Sequence, residues 1–200
     1  MVQEKTKRLS ARERILVAAS TLFYQEGVQN VGIDRIIAVS GVAKMSLYNN
    51  FKSKDDLIAA YLERQDAAWQ TFLAKKLTQV GQTPQEKLLA IFDILQGWAT
   101  KPDFRGCAFI NSSVELANPH HPGFQVAVQH KQATGNFLLG LAREAGLVNP
   151  QAIAQQVQML IEGAIVMAMM QGNATVFTQA KQAAAVLITA AGVGEVEEER

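Results

Sequence analysis

Apolar residues recur at helical spacing almost from one end of this chain to the other. Ile15, Ala18, Ala19, Leu22 and Phe23 fall at i, i+3, i+4, i+7 and i+8, the stripe that one amphipathic helix buries. Ser10–Glu13 precedes it as a capping box: the serine oxygen accepts from the first turn while the glutamate reaches back to the serine N–H. Gly27 is placed to stop the helix in a left-handed conformation. A short helix from Ile33 to Val39 is predicted next, with Ile33, Ile36 and Ile37 facing inward. Ser40–Gly41 makes a turn, and Ala43 to Phe51 reads as a third helix.

Longer helices fill the rest. Ser53–Asp56 opens a fourth, with acids in the first turn where the macrodipole favours them, and it runs to about Gln79. Thr83–Glu86 is a second capping box, with proline at the first helical position where its missing N–H costs nothing; that helix ends near Thr100. Others are predicted from about Cys107 to Ala117, from the Asn118–Pro122 stop to Ala145 with Gly146 closing it, from Asn149–Pro150 to Gln171, and from about Thr178 to Ala191. No stretch alternates with period two, so no strand is expected. Glu195 to Arg200 reads as a frayed acidic tail. The expected fold class is all-α.

With 200 residues and 48% of them apolar, the chain can bury a sizeable core without staples. Its net charge of +1 argues, taken alone, against a nucleic-acid partner. The distribution reverses that inference. Through Lys54 nine bases face four acids, a head of +5, and from Asp55 onward ten bases face fourteen acids, a body of −4. A basic head on an acidic body points to a polyanion at the head. Cys107 is the single cysteine, so no intrachain disulfide forms and nothing marks an oxidising compartment. The N-terminus has no apolar h-region, and the longest apolar run, Gly163 to Met170, is far short of the ~18 residues that span a bilayer. A cytoplasmic protein with no membrane partner is the expectation.

The stretch from Ile33 to Lys54 carries the most chemistry. A short helix, a tight turn at Gly41 and a second short helix make a helix-turn-helix, whose second helix enters the major groove. Val42, Leu47 and Phe51 supply an inner face, leaving Lys44, Met45, Ser46, Tyr48 and Asn49 outside. Lysine and tyrosine can bond phosphates, while Ser46 and Asn49 can bond base edges or phosphates. Lys54, at the N-terminus of the fourth helix, would share an anion site with its backbone N–H groups. Spacing alone leaves an ordinary amphipathic hairpin with a solvated face as an equal alternative.

The order of residues decides between the two. Gly41-Val42-Ala43-Lys44-Met45-Ser46-Leu47-Tyr48-Asn49-Asn50-Phe51-Lys52-Ser53-Lys54-Asp55-Asp56-Leu57 resembles the signature of the TetR family of bacterial repressors, and the likeness extends back through Ile15–Ala19 and Leu22–Gly27. It covers about the first quarter of the chain. The resemblance implies phosphate contacts at Ser46, Tyr48 and Lys54 and base contacts around Lys44, Met45 and Asn49. It also implies that the last two helices form a four-helix bundle with their symmetry mates, for which their Ala, Val, Ile and Met content is suited. Ala43 and Gly32 depart from the family's usual Ser or Thr, which puts a helix cap and a phosphate contact in doubt. Met45 replaces a frequent glycine and puts an apolar side chain where a thymine methyl could meet it.

Other residues invite sharper roles than they support. Cys107, beside Arg105 at a helix start, fits a thiol sensor, but a lone cysteine before Ala108-Phe109-Ile110 is more often a buried small hydrophobe. His120, His121 and His130 with Glu115 have no compact metal-ligand spacing. Cys107 with His121 or His130 would be the core of an all-α hydrolase, but there is no oxyanion signature and no acid placed by sequence to orient the histidine. Neither metal nor cofactor is expected. Glu162, in an apolar helix, must meet a ligand cation, an arginine across a subunit interface, or water.

The expected organisation is a helix-turn-helix DNA-binding domain over residues 1–53 and a larger effector-binding and dimerisation domain over 54–200. The effector is expected to be small and largely apolar, held among the helices of 83–171 by Phe92, Trp98, Phe109, Phe137 and Met159, with Glu115 or Glu162 as polar contacts. The partners are then duplex DNA, that effector and a second copy of the chain. Effector binding is expected to release DNA through head separation, with the long fourth helix as the direct covalent link.

Overall fold

A computed structural model describes residues 9–80 and 83–192, and among them the chain is helical without a strand. α1 spans Ala11–Glu26, α2 Ile33–Ser40, α3 Lys44–Asn50, α4 Lys54–Leu77 and α5 Pro84–Ala99. α6 spans Ala108–Leu116, α7 Pro122–Glu144, α8 Pro150–Gln171 and α9 Val176–Ala191. The all-α expectation holds, with the helix ends set by the signals in the sequence. Ser10 Oγ accepts from Glu13 N at 3.2 Å, and Thr83 with Glu86 forms the complete capping box. The first box is only half as predicted, because the Glu13 carboxylate is taken by Arg64 of α4 at 2.5 Å. Gly27 ends α1 at φ 90° and ψ 151°, a positive-φ bend rather than the left-handed helical turn expected. The acidic tail lies outside the described residues.

The chain divides into two compact units. One holds the described residues through Gln65 together with Ala108–Ala127; the other holds Asp66–Cys107 together with the described residues from Val128. α3, the second helix of the helix-turn-helix, ends at Asn50, whereas the first compact unit continues along α4 to Gln65. The reason is burial: Leu57, Ile58, Tyr61 and Leu62 on the first turns of α4 are all inside. Tyr61 meets Phe23 of α1 with ring centroids 5.6 Å apart. On α6, grouped with the same unit, Phe109 and Ser112 are buried.

In the second unit α9 packs on both α5 and α8. Phe92, Leu88, Val157, Phe177 and Ala184 fill the interior. Lys181 of α9 pairs with Asp93 of α5 at 2.6 Å on the rim. The apolar run at Gly163–Met170 is the end of a longer apolar helix: an 18-residue window of α8 reaches a mean hydropathy of 1.4, enough by length and composition to cross a bilayer. One face of α8, from Ile153 to Ala168, is instead buried in the unit's own core.

A polar knot lies inside this second unit. His130 of α7 is buried and its Nδ1 stands 2.6 Å from an Asp66 oxygen of α4. Burial, the largest influence, holds the imidazole pKa below the ordinary 6.5; Lys131 adds to this, while the hydrogen bond and charge of Asp66 and the charge of Glu162 oppose it. The folded state therefore favours neutral imidazole, and the unfolded chain takes up the proton first as pH falls. This contribution to stability is full above pH 6.5 and is lost as pH drops from 6.5 toward the folded value. Denaturant midpoints should thus fall between about pH 7.5 and 5.5, and His130→Gln should flatten that dependence. Equal slopes for wild type and variant would refute the assignment.

Candidate nucleic-acid interface

α3 is held by its inner face. Leu47 is fully buried, with Val42 and Phe51 beside it in the interior, and α3 packs against both α1 and α2. The turn that aims it depends on two residues. Gly41 adopts φ 61° and ψ 34°, the left-handed region that L side chains rarely take, and its N–H donates to Ile37 O at 3.0 Å. Arg14 of α1 reaches across, its Nη2 donating to the carbonyls of Ser40 and Gly41 at 2.6 Å each. A Cβ on Gly41 would stand 3.0 Å from that nitrogen, so glycine serves both the backbone and the clamp. Arg14 was not legible as a clamp, since the bond spans a sequence separation of 26 and neither carbonyl leaves a mark in the sequence. Arg14→Ala should cost about 1–3 kcal/mol, because charge-assisted bonds to two turn carbonyls go. An unchanged melting temperature would show that the clamp contributes nothing.

With the inner face fixed, the outer face is determined. Lys44, Met45, Tyr48 and Asn49 are exposed, Met45 to 72%, and Ser46 is half-buried. The backbone carbonyl of Ser46 accepts from the Asn50 side chain at 2.7 Å, one turn on. Lys44 stands 3.5 Å from Asp34, both largely in solvent, a pair worth little and easily exchanged for a phosphate. Neither Gly32 nor Ala43 provides a side-chain cap, so the departures noted in the sequence are real at the helix starts.

Lys54 begins α4 and is more engaged than its neighbours on α3. Its Nζ donates to Gln29 O at 3.2 Å, in the loop between α1 and α2. Partial burial lowers its pKa, with Asp55 and Glu115 opposing. Glu115, at the end of α6, accepts the Gln29 backbone N–H on Oε2 at 2.9 Å, and its own carbonyl accepts from Gln29 Nε2 at 3.3 Å. Glu115 and Lys54 thus hold the backbone N–H and the backbone carbonyl of one residue, Gln29.

The residues expected to hold an effector are dispersed. Phe109 and Glu115 sit on α6 in the first unit, while Phe92, Trp98, Phe137, Met159 and Glu162 belong to the second. Phe92 is completely buried, whereas Phe137 and Met159 are exposed, the latter to 66%. Trp98 lies in an aromatic cluster the sequence did not reveal, edge-on to Phe104 at 4.7 Å and 6.0 Å from Trp69, which in turn touches Phe72 at 5.7 Å. The i, i+3 spacing of Trp69 and Phe72 was the available signal.

Glu162 is not stranded. Both of its oxygens lie 2.7 Å from Lys131 Nζ, a partner on α7 that none of the three sequence alternatives included. Lys131 Nζ is also 3.5 Å from the sulfur of Cys107, which is buried. His121 Nε2 stands 3.2 Å from an Asp55 oxygen in the first unit, and His130 is hydrogen-bonded to Asp66 in the second, so each has a carboxylate close by. Asp66 is an acid for His130 that the sequence did not place.

Comparison with known proteins agrees with this geometry. Residues 15–61, which run from α1 into α4, match bacterial regulatory proteins of the tetR family. The HTH-type transcriptional regulator YjdC of Escherichia coli is 26% identical over 157 residues, covering 77% of this chain and 81% of its own. A TetR-family transcriptional regulator of Streptomyces coelicolor superposes with a TM-score of 0.84 at 29% identity, over 90% of this chain and 95% of that one. A tetR-type transcriptional regulator of Streptomyces avermitilis superposes with a TM-score of 0.77 at 34% identity, over 88% of this chain and 99% of that one. An exposed polar helix braced by a buried leucine, an arginine-clamped turn and near-full-length likeness to such regulators lead to one assignment: this chain belongs to the tetR family of bacterial regulatory proteins and is a DNA-binding transcriptional regulator.

Proposed function

We propose that the protein is a homodimeric repressor that reads a pseudo-palindromic operator with α3 and leaves it when a small, largely apolar effector binds the second unit. The observation that carries the reading is the outer face of α3, where Lys44, Met45, Tyr48 and Asn49 are exposed while Leu47 locks the opposite face. A second support is the surface of α8 and α9: Met159, Met167, Met170 and Val186 are exposed apolar residues on the helices suited to a seam with a second copy. The protein acts in the cytoplasm, where its DNA is.

Roles on α3 and α4 divide by chemistry. Tyr48 and Lys54 bond phosphates, with Ser46 as a further phosphate contact, while Lys44, Met45 and Asn49 meet base edges. Tyr48→Phe and Lys54→Ala should weaken binding to every sequence alike and flatten the salt slope. Asn49→Ala should shift preference at one operator position by about 1–3 kcal/mol. Gel shifts with operator and scrambled duplexes at several salt concentrations check both. Tyr48→Phe changing sequence preference while leaving overall affinity intact would overturn the assignment.

For the effector, the Glu162–Lys131 pair is the polar anchor, and Trp98 and Phe92 of α5 are its apolar contacts. Displacing DNA a hundredfold needs only about 2.7 kcal/mol of coupling, within the usual allosteric range. Titration calorimetry of an identified effector against Glu162→Gln tests the anchor, and unchanged affinity removes the carboxylate from the site.

A further inference from the structure

Glu115 was expected to touch an effector, and its surroundings give it other work. Its carboxylate lies against the corner where α1 turns into α2. Oε2 accepts the Gln29 N–H at 2.9 Å, and the backbone carbonyl of the same residue accepts the Gln29 side chain at 3.3 Å. Two bonds from one residue thus fix Gln29 from both its peptide and its side chain. The corner is shaped to admit the carboxylate. A Cβ on Gly27 would stand 2.8 Å from Oε2 and 2.9 Å from Oε1, closer than real contacts allow, and Gly27 has φ 90°. Any side chain at position 27 would push the carboxylate out.

The carbonyl of the same residue, Gln29, leads to the DNA face. Gln29 O accepts from Lys54 Nζ at 3.2 Å, and Lys54 follows the recognition helix by one short loop. α2, which begins at Ile33, leaves the same corner and is one of the two helices on which α3 packs. The chain of contacts runs from Glu115 through Gln29 to Lys54 on one side and into α2 on the other. All of these residues belong to the first compact unit, which includes α6.

We infer that Glu115 is a positioning residue for DNA reading: from α6 it holds the α1–α2 corner, and through Gln29 it sets Lys54 and α2 in the arrangement that α3 needs. It touches no DNA itself. Removing it leaves every DNA contact available but makes the free protein more heterogeneous at the corner, so binding must supply the ordering that Glu115 supplied before. The loss is therefore uniform in salt, because the number of phosphates neutralised in the complex is unchanged. This distinguishes a positioning residue from a phosphate contact, whose removal flattens the slope. The inference rests on the DNA-reading role of α3 and Lys54.

The test uses full-length protein and a duplex enriched by the wild type from random-sequence DNA. Operator affinity is measured for the wild type, Glu115→Ala, Glu115→Gln and Lys54→Ala across a salt series, well below each protein's melting temperature. Glu115→Ala should lower affinity about tenfold, a change of about 1.4 kcal/mol, with the wild-type salt slope retained. Glu115→Gln keeps a carbonyl oxygen for the Gln29 N–H and should recover most of the loss. Lys54→Ala should reduce the slope. Glu115→Ala binding like the wild type would overturn the inference, as would a reduced slope in that variant. Should Glu115→Ala fail to fold, Glu115→Asp keeps the charge but is one methylene too short to reach Gln29 N–H, and wild-type affinity in that protein would overturn the inference equally. Enrichment of no sequence at all by the wild type would remove the DNA-reading role together with this inference, whereas a lone failure at Glu115 leaves that role standing.

Discussion

Leu47→Ala should abolish DNA binding by melting the head rather than by removing a contact. Leu47 has no exposed surface and is the only residue of α3 that is fully inside. Truncation loses the transfer energy of the removed carbons and leaves a cavity among closely packed helices, for a cost of about 2–5 kcal/mol. A helix as short as α3, Lys44–Asn50, cannot stand without tertiary packing, since isolated helices below about a dozen residues are marginal in water. Against a whole-domain stability of about 5–15 kcal/mol, this removes much of the margin for the first unit. Thermal unfolding followed by circular dichroism should show an earlier transition, and gel shifts should show no complex at physiological temperature. A variant that melts with the wild type would mean that α3 is not seated by this residue.

The second large effect is expected at the seam. Met159 of α8 and Val186 of α9 are 66% and 68% exposed in the protomer, and with Met167 and Met170 they give these two helices exposed apolar side chains that a second copy would cover. In the proposed dimer a two-fold axis would bring each patch against its own copy, so a Met159→Arg, Val186→Arg double variant would set like charges in an apolar interface. Single heads then bind half-sites separately, and the effective concentration that links two half-sites is lost. Operator affinity should fall by about 10²–10⁴-fold while the melting temperature of the head is unchanged. Sedimentation should show monomer at micromolar concentration. A double variant that sediments as the wild-type dimer would put the seam elsewhere.

How much of this was legible in the sequence depends on the reach of the signal. Helices were legible because caps and apolar stripes are local: Ser10, the Thr83–Glu86 box and Asn149–Pro150 start α1, α5 and α8 where expected. The inner face of the helix-turn-helix was legible for the same reason, with Val42, Leu47 and Phe51 buried as predicted. Side-chain partners were not. Arg14 with Ser40 and Gly41, Glu115 with Gln29, Lys131 with Glu162 and Asp66 with His130 all join distant segments. No periodicity encodes which carboxylate meets which cation. Glu162 illustrates the gap: it is half-buried and does have a partner, but that partner is a lysine of the same chain. The extent of the first unit was hidden too, because α4 continues without a break in helical signal past Gln65 and α6 joins from further along the chain.

Hydroxyl-radical footprinting of the wild-type protein on its enriched duplex tests the central claim most directly. A dimer that reads DNA with two copies of α3 should protect two patches related by two-fold symmetry, on successive major grooves about 34–36 Å apart or somewhat more. Both patches should appear at the same protein concentration and vanish together as salt rises. A single protected patch, or two that fill at different concentrations, would contradict the account.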